Sequence, residues 1–117
     1  MLHIVLLPRH KKFLSNELIA RRIKELFFEC AEIHRWKIQE VNITSEYVHI
    51  AMELVLDESL SNIIGTLKFE SSKVLKKEFS EINKVYRANS FWEKSFCANT
   101  GDELDMELFA EFFEQFA

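Results

Sequence analysis

Apolar and polar positions change period several times along the chain, and each change marks an element. His3 to Leu7 is a short apolar run ended by Pro8, which predicts a buried strand. A basic turn, RHKKF, follows. Leu18, Ile19, Ile23, Leu26, Phe27, Cys30 and Ile33 then recur at helical spacing behind a cap at Ser15 or Asn16, so a helix is predicted to about His34. Lys37 to Thr44 and Tyr47 to Leu56 read as two strands joined by a tight TSE connection, a hairpin. A second long helix is predicted from Asp57–Ser59 to about Phe79, with Leu60, Ile63, Ile64, Leu67, Val74, Leu75 and Phe79 on its apolar side. Val85 to Trp92 and Ser95 to Thr100 read as two further strands. Asp105 caps a last helix that gathers Leu108, Phe109, Phe112, Phe113 and Phe116. The order β-α-β-β-α-β-β-α predicts an α+β fold: an antiparallel sheet of four to five strands with helices packed on it, ferredoxin-like.

A length of 117 residues suits one domain, 1–117, with one core, and 48% hydrophobic residues are ample to build it. Two glycines and one proline leave no linker or low-complexity segment. No apolar run approaches the ~20 residues of a membrane span. The N-terminus places apolar residues before basic ones, the reverse of a signal peptide, and a cytoplasmic location is the expectation. Cys30 and Cys97 match no metal spacing and read as reduced thiols, one on a helix and one on a strand. The net charge of -4 argues against a uniformly basic nucleic-acid binder, but residues 102–117 hold six of the acids and no Lys or Arg. The other 101 residues are close to neutral, with basic clusters.

His49 raises the first question of chemistry. The stretch SEYVHIAMEL puts Val48, Ile50, Met52 and Leu54 on one face and Tyr47, His49 and Glu53 on the other. His49 and Glu53 alone make a weak metal site, and a solvent or interface histidine is the simpler reading. The basic residues Arg9, His10, Lys11, Lys12, Arg21, Arg22, Lys68, Lys73, Lys76 and Lys77 taken alone read as solvated charge. Eleven phenylalanines are an unusual load, and the cluster in the last helix suits either core packing or a subunit interface.

Several strings in this order resemble the single-tyrosine HUH transposases of single-strand-transposing bacterial insertion sequences, including the REP-associated tyrosine transposases. HIVLLPRHKKFLS is similar to that family's first strand and basic turn, and IARRIKELFFECAEIHRWKIQEVNI to its first helix and second strand. EYVHIAMEL stands where the family has two histidines flanking a hydrophobic residue. LSNIIGTLKFESSKVLKKEF resembles its second helix, FWEKSFCANTG its Trp-containing strand pair, and the last helix the one that carries the nucleophilic tyrosine. The resemblance implies a Mg2+ or Mn2+ cofactor, a tyrosine that attacks a DNA phosphate, single-stranded or hairpin DNA as partner, and a homodimer.

This chain departs from that pattern. Tyr47 stands at the first histidine position and His49 keeps the second. Phe112 aligns with the nucleophile, and Phe116 with the metal-binding glutamine. A shift of one residue would instead match Gln115 and Glu111. Tyr47 or Tyr86 is the alternative source of a phenol. The resemblance therefore implies vestigial positions at Tyr47, His49 and Phe112, no catalytic residue and no bound metal, with His49 as a remnant ligand. It gives the basic set Arg9, His10, Lys11, Lys12, Arg21, Arg22, Lys68 and Lys73 as the DNA-binding candidates. The alternative is a dimeric interaction module that has lost DNA, because carboxylates along the last helix repel a phosphate backbone.

Overall fold

A computed structural model describes residues 1–116. Strand β1 (Leu2–Leu6) leads through a short 3-10 turn (Lys11–Ser15) into helix α1 (Glu17–His34). Strands β2 (Ile38–Ile43) and β3 (Val48–Met52) form the hairpin. Helices α2 (Leu60–Glu78) and α3 (Ser80–Tyr86), strand β4 (Cys97–Thr100) and helix α4 (Met106–Glu114) complete the chain. The sheet order is β2-β3-β1-β4, and all neighbours are antiparallel. The antiparallel α+β fold is the one the sequence predicts.

Alternation on the strands sorts side chains between two layers. Leu2, Ile4 and Leu6 of β1 and Val48, Ile50 and Met52 of β3 enter the main core with Ile19, Ile23 and Phe27 of α1 and Ile63, Ile64 and Leu67 of α2. Val5 and Leu7 turn to the opposite face and meet Cys97, Phe109 and Phe112 in a second cluster. That explains why β1 is apolar at nearly every position: both of its faces are covered. The helix starts follow side-chain chemistry. Asn16 accepts from the backbone N–H of Leu18 and Ile19, Ser59 from Asn62, and Asp105 from Glu107 and Leu108.

One predicted element is corrected. Val85–Trp92 is not a strand: Ser80–Tyr86 is helical, and only Trp92 bridges to the sheet, opposite Pro8. Ile82 and Tyr86 lie one turn apart and are both buried, whereas Val85 is exposed. The helical period of the apolar pair outweighs the strand preference of Val and Tyr. The sheet accordingly has four strands, within the four to five expected, and an additional short helix precedes β4.

Candidate functional site

The outer face of the sheet carries the residues that the resemblance singles out. His49 lies on β3 opposite Val5, and His3 lies on β1 opposite Ala51. Both histidines project to this face because they alternate with core residues on neighbouring strands. His3 Nδ1 and His49 Nε2 are 3.0 Å apart, so one ring nitrogen donates a hydrogen bond to the other. His3 is buried, and its Nε2 has no partner among the described residues. Burial first, and then His3, push the His49 imidazole below its ordinary value, with Glu40 acting the other way.

His3 had no assigned role in the sequence, where it counted as one position of an apolar run. The signal that finds it is its odd position on β1, but using it requires the β1–β3 register, which joins residues 46 apart.

Tyr47 precedes β3 on the same face. Its ring meets Phe109 edge-on at 4.8 Å and Phe113 at 6.4 Å. Phe112 is buried in the second cluster and packs on Phe116 at 5.2 Å, while Glu111 and Gln115 are exposed. Helix α4 is held to the sheet by aromatic packing and by Asn99. The Asn99 side chain donates to Glu103 O and accepts from the Asp105 N–H, which fixes the entry of the helix.

These donors do not fit Mg2+ or Mn2+. The two imidazoles of this face are already bonded to each other, and the Tyr47 ring is turned into an aromatic cluster, so the ligand set for such an ion is incomplete. Among the described residues, no three His, Cys, Asp or Glu side chains converge as a metal site. Tyr86 is buried in the main core, where its hydroxyl accepts from the His10 N–H at 3.0 Å. Burial pushes its phenol up to about 12, away from the ionised form a nucleophile needs. The thiols are likewise buried: Cys30 is pushed up to about 11, and Cys97 is also raised.

The basic candidates divide into three groups. Arg9, His10, Lys11 and Lys12 lie together at and beside the 3-10 turn. Arg9 Nε donates to Trp92 O at 3.3 Å, Lys11 Nζ sits 4.6 Å from the Phe113 ring centre, and Lys12 Nζ 5.2 Å from that of Phe13. On α1, Arg21 is exposed, but Arg22 is engaged by Glu78 at 2.8 and 2.9 Å and lies near Glu25 and Glu29. On α2, Lys73 is exposed, whereas Lys68 is half-buried and donates to the carbonyls of Glu93, Lys94 and Ser95. Burial lowers the Lys68 pKa. Arg22 and Lys68 thus tie elements together, and neither engagement was legible from the helix pattern.

Comparison with known proteins defines the class. The family model described as "Transposase IS200 like" matches residues 1–115, and the chain belongs to that family. The transposase for insertion sequence element IS200 of Salmonella typhimurium (strain LT2) is 24% identical over 98 residues, 84% of this chain and 64% of that protein. The Salmonella typhi transposase for the same element matches to the same extent. The chain therefore spans less than two thirds of the length of these curated relatives. Among solved structures, a Deinococcus radiodurans R1 protein assigned as a transposase superposes with a TM-score of 0.84 at 15% identity, over 97% of this chain and 88% of that one. A REP-associated tyrosine transposase bound to a REP hairpin gives a TM-score of 0.62 at 9% identity, over 97% and 60%. Among the described residues, no helix is long and apolar enough to cross a membrane.

Proposed function

We propose that this chain is a transposase-family protein that holds single-stranded or hairpin DNA as a homodimer and does not cut it. The observation that carries the loss of cleavage is the aromatic filling of the outer sheet face. Tyr47 and Phe112, at the positions matched to a metal-binding histidine and to the nucleophile, are packing groups against Phe109, Phe113 and Phe116. A phenyl ring has no oxygen to attack a phosphate. The sheet-facing orientation of Phe112 and Phe116 favours that register over Glu111 and Gln115, and neither register supplies a tyrosine.

DNA binding is supported by family membership, by the hairpin held by a relative of similar fold, and by exposed or partly exposed cations at Arg9, Lys11, Lys12, Arg21 and Lys73. A dimer accords with Met106 and Leu108, apolar side chains of α4 that stay exposed. Gel shift with hairpin DNA carrying a single-stranded flank tests the reading: a salt-sensitive complex is expected, and no complex at low salt would end it.

A second reading, a dimeric interaction module without DNA, has its own observation. Arg22 and Lys68 are already engaged by internal partners, and α4 is acidic. Absence of DNA affinity at low salt would favour it, and a clear, salt-sensitive affinity for hairpin DNA would count against it.

A further inference from the structure

One face of α2 is unlike the rest of the surface. Gly65, Phe69, Lys73 and Lys76 recur at helical spacing and line two shallow depressions of about 390 and 290 Å³ that share Phe69 and Ser90. Phe69 is 66% exposed, a large ring left in solvent in the middle of a helix whose other apolar residues are buried or partly buried. Phe96 stands at the far wall and Trp92 lines the same depression, buried. Gly65 leaves open space on the helix surface, with nothing within 4 Å of where a Cβ would stand. The depressions are lined by four lysines and one glutamate, on a chain whose net charge is -4.

We infer that this groove binds an unpaired stretch of single-stranded DNA, with a base stacked on Phe69 and its backbone phosphates beside Lys73, Lys76 and Lys94. This rests on the DNA-binding reading above and names a surface for the unpaired part of that ligand. The chemistry supports a nucleic acid over other anions. A shallow groove with an exposed ring and flanking ammonium groups suits a flat base joined to phosphates, the combination used by sequence-tolerant single-strand binders. Lys68 adds fixed positive charge to the wall while tying the 93–95 loop in place through three carbonyls, and its Nζ lies 5.9 Å from the Phe96 ring centre. The Lys76 ammonium donates to the carbonyls of Arg87 and Asn89, which holds the turn that forms the rim. In that turn Arg87 adopts φ 49° and ψ -112°, a conformation unusual for a side chain larger than glycine. The acidic residues 102–114 lie in the β4–α4 segment and α4, so the charge contrast across the molecule directs a phosphate chain toward α2.

The test compares wild type with Phe69→Ala, Phe69→Trp and Lys73→Gln, by fluorescence anisotropy with labelled oligo(dT) and, separately, with a blunt hairpin. The inference expects Phe69→Ala to weaken oligo(dT) binding about tenfold, ~1.4 kcal/mol, while Phe69→Trp keeps or raises it. Lys73→Gln is expected to lower the salt dependence of oligo(dT) binding. Hairpin binding is expected to change less than twofold in both Phe69 variants. If wild type binds either DNA and Phe69→Ala binds oligo(dT) as tightly, the groove inference falls and the DNA-binding reading stands. Equal losses in Phe69→Ala and Phe69→Trp would also overturn the stack. If wild type binds neither DNA, both fall; if the groove takes an acidic peptide in preference to oligo(dT), the groove inference alone falls.

Discussion

Tyr47→His is the substitution that most sharply probes the outer sheet face. It removes a ring that meets Phe109 edge-on at 4.8 Å and Phe113 at 6.4 Å. An aromatic pair of this geometry contributes about 0.5–1.5 kcal/mol beyond its buried area. Adding the smaller contact area of an imidazole, the variant should lose about 1–2 kcal/mol, a fall in Tm of roughly 5–10 °C for a domain of this size. The same change sets a third imidazole on the face that already holds His3 and His49, because residues 47 and 49 alternate to one side. Three imidazoles suit Ni2+ or Zn2+. At a metal concentration about a hundredfold above Kd, binding to the folded form alone returns about 2.7 kcal/mol. Thermal unfolding with and without Ni2+, reversed by a chelator, reads the balance. The variant is expected to melt below wild type without metal and to recover its Tm, or pass it, with metal. Wild type, whose two imidazoles are bonded to each other at 3.0 Å, should gain little. A variant that melts no higher with metal than without would refute the placement of residue 47 on the ligand face.

Two further outcomes follow from the packing. Ser71 is buried, accepts from the Trp92 indole N–H at 2.8 Å and donates to Leu67 O at 2.6 Å. Ser71→Ala leaves that indole N–H unpaired and should cost about 1–3 kcal/mol in urea unfolding; a loss under ~0.5 kcal/mol would show that the bond matters little. The lowered His49 pKa sets a pH dependence. The unfolded chain takes up the proton first, near the ordinary value of about 6.5, so stability is fully present above that pH and falls as pH drops through the lower folded value. His49→Gln should flatten the Tm–pH profile below about pH 6.5, and an unchanged slope would contradict this coupling.

The parts of this molecule that depend on neighbours in sequence were legible in it. Asp105 and Asn16 cap the helices they precede, the β2–β3 hairpin closes at its TSE turn, and Cys30 and Cys97 fall on a helix and a strand as free thiols. Family likeness was also legible from string order, and the match over residues 1–115 supports it. What escaped depends on distant partners. His3 becomes more than an apolar-strand residue only when β1 meets β3. Arg22 looks like a free surface cation until Glu78, 56 residues away, folds onto it. Lys68 looks solvated until the 93–95 loop closes over its ammonium. Val85–Trp92 misled because Val and Tyr favour strands in isolation, whereas burial of Ile82 and Tyr86 selects a helix. Phe69 stands off the apolar stripe of α2, on the side of Lys73 and Lys76, but the groove it lines with Ser90, Lys94 and Phe96 exists only once the 88–96 segment folds against the helix.

On the proposed reading, this transposase-family chain grips DNA and does not cut it. The direct measurement incubates the protein with end-labelled hairpin DNA carrying a single-stranded flank, in Mg2+ or Mn2+, and divides each reaction between a native and a denaturing gel. The expected result is a retarded complex on the native gel that weakens steeply as salt rises, and free, intact DNA on the denaturing gel. A covalent protein–DNA adduct on the denaturing gel, or no complex on the native gel at low salt, would contradict it.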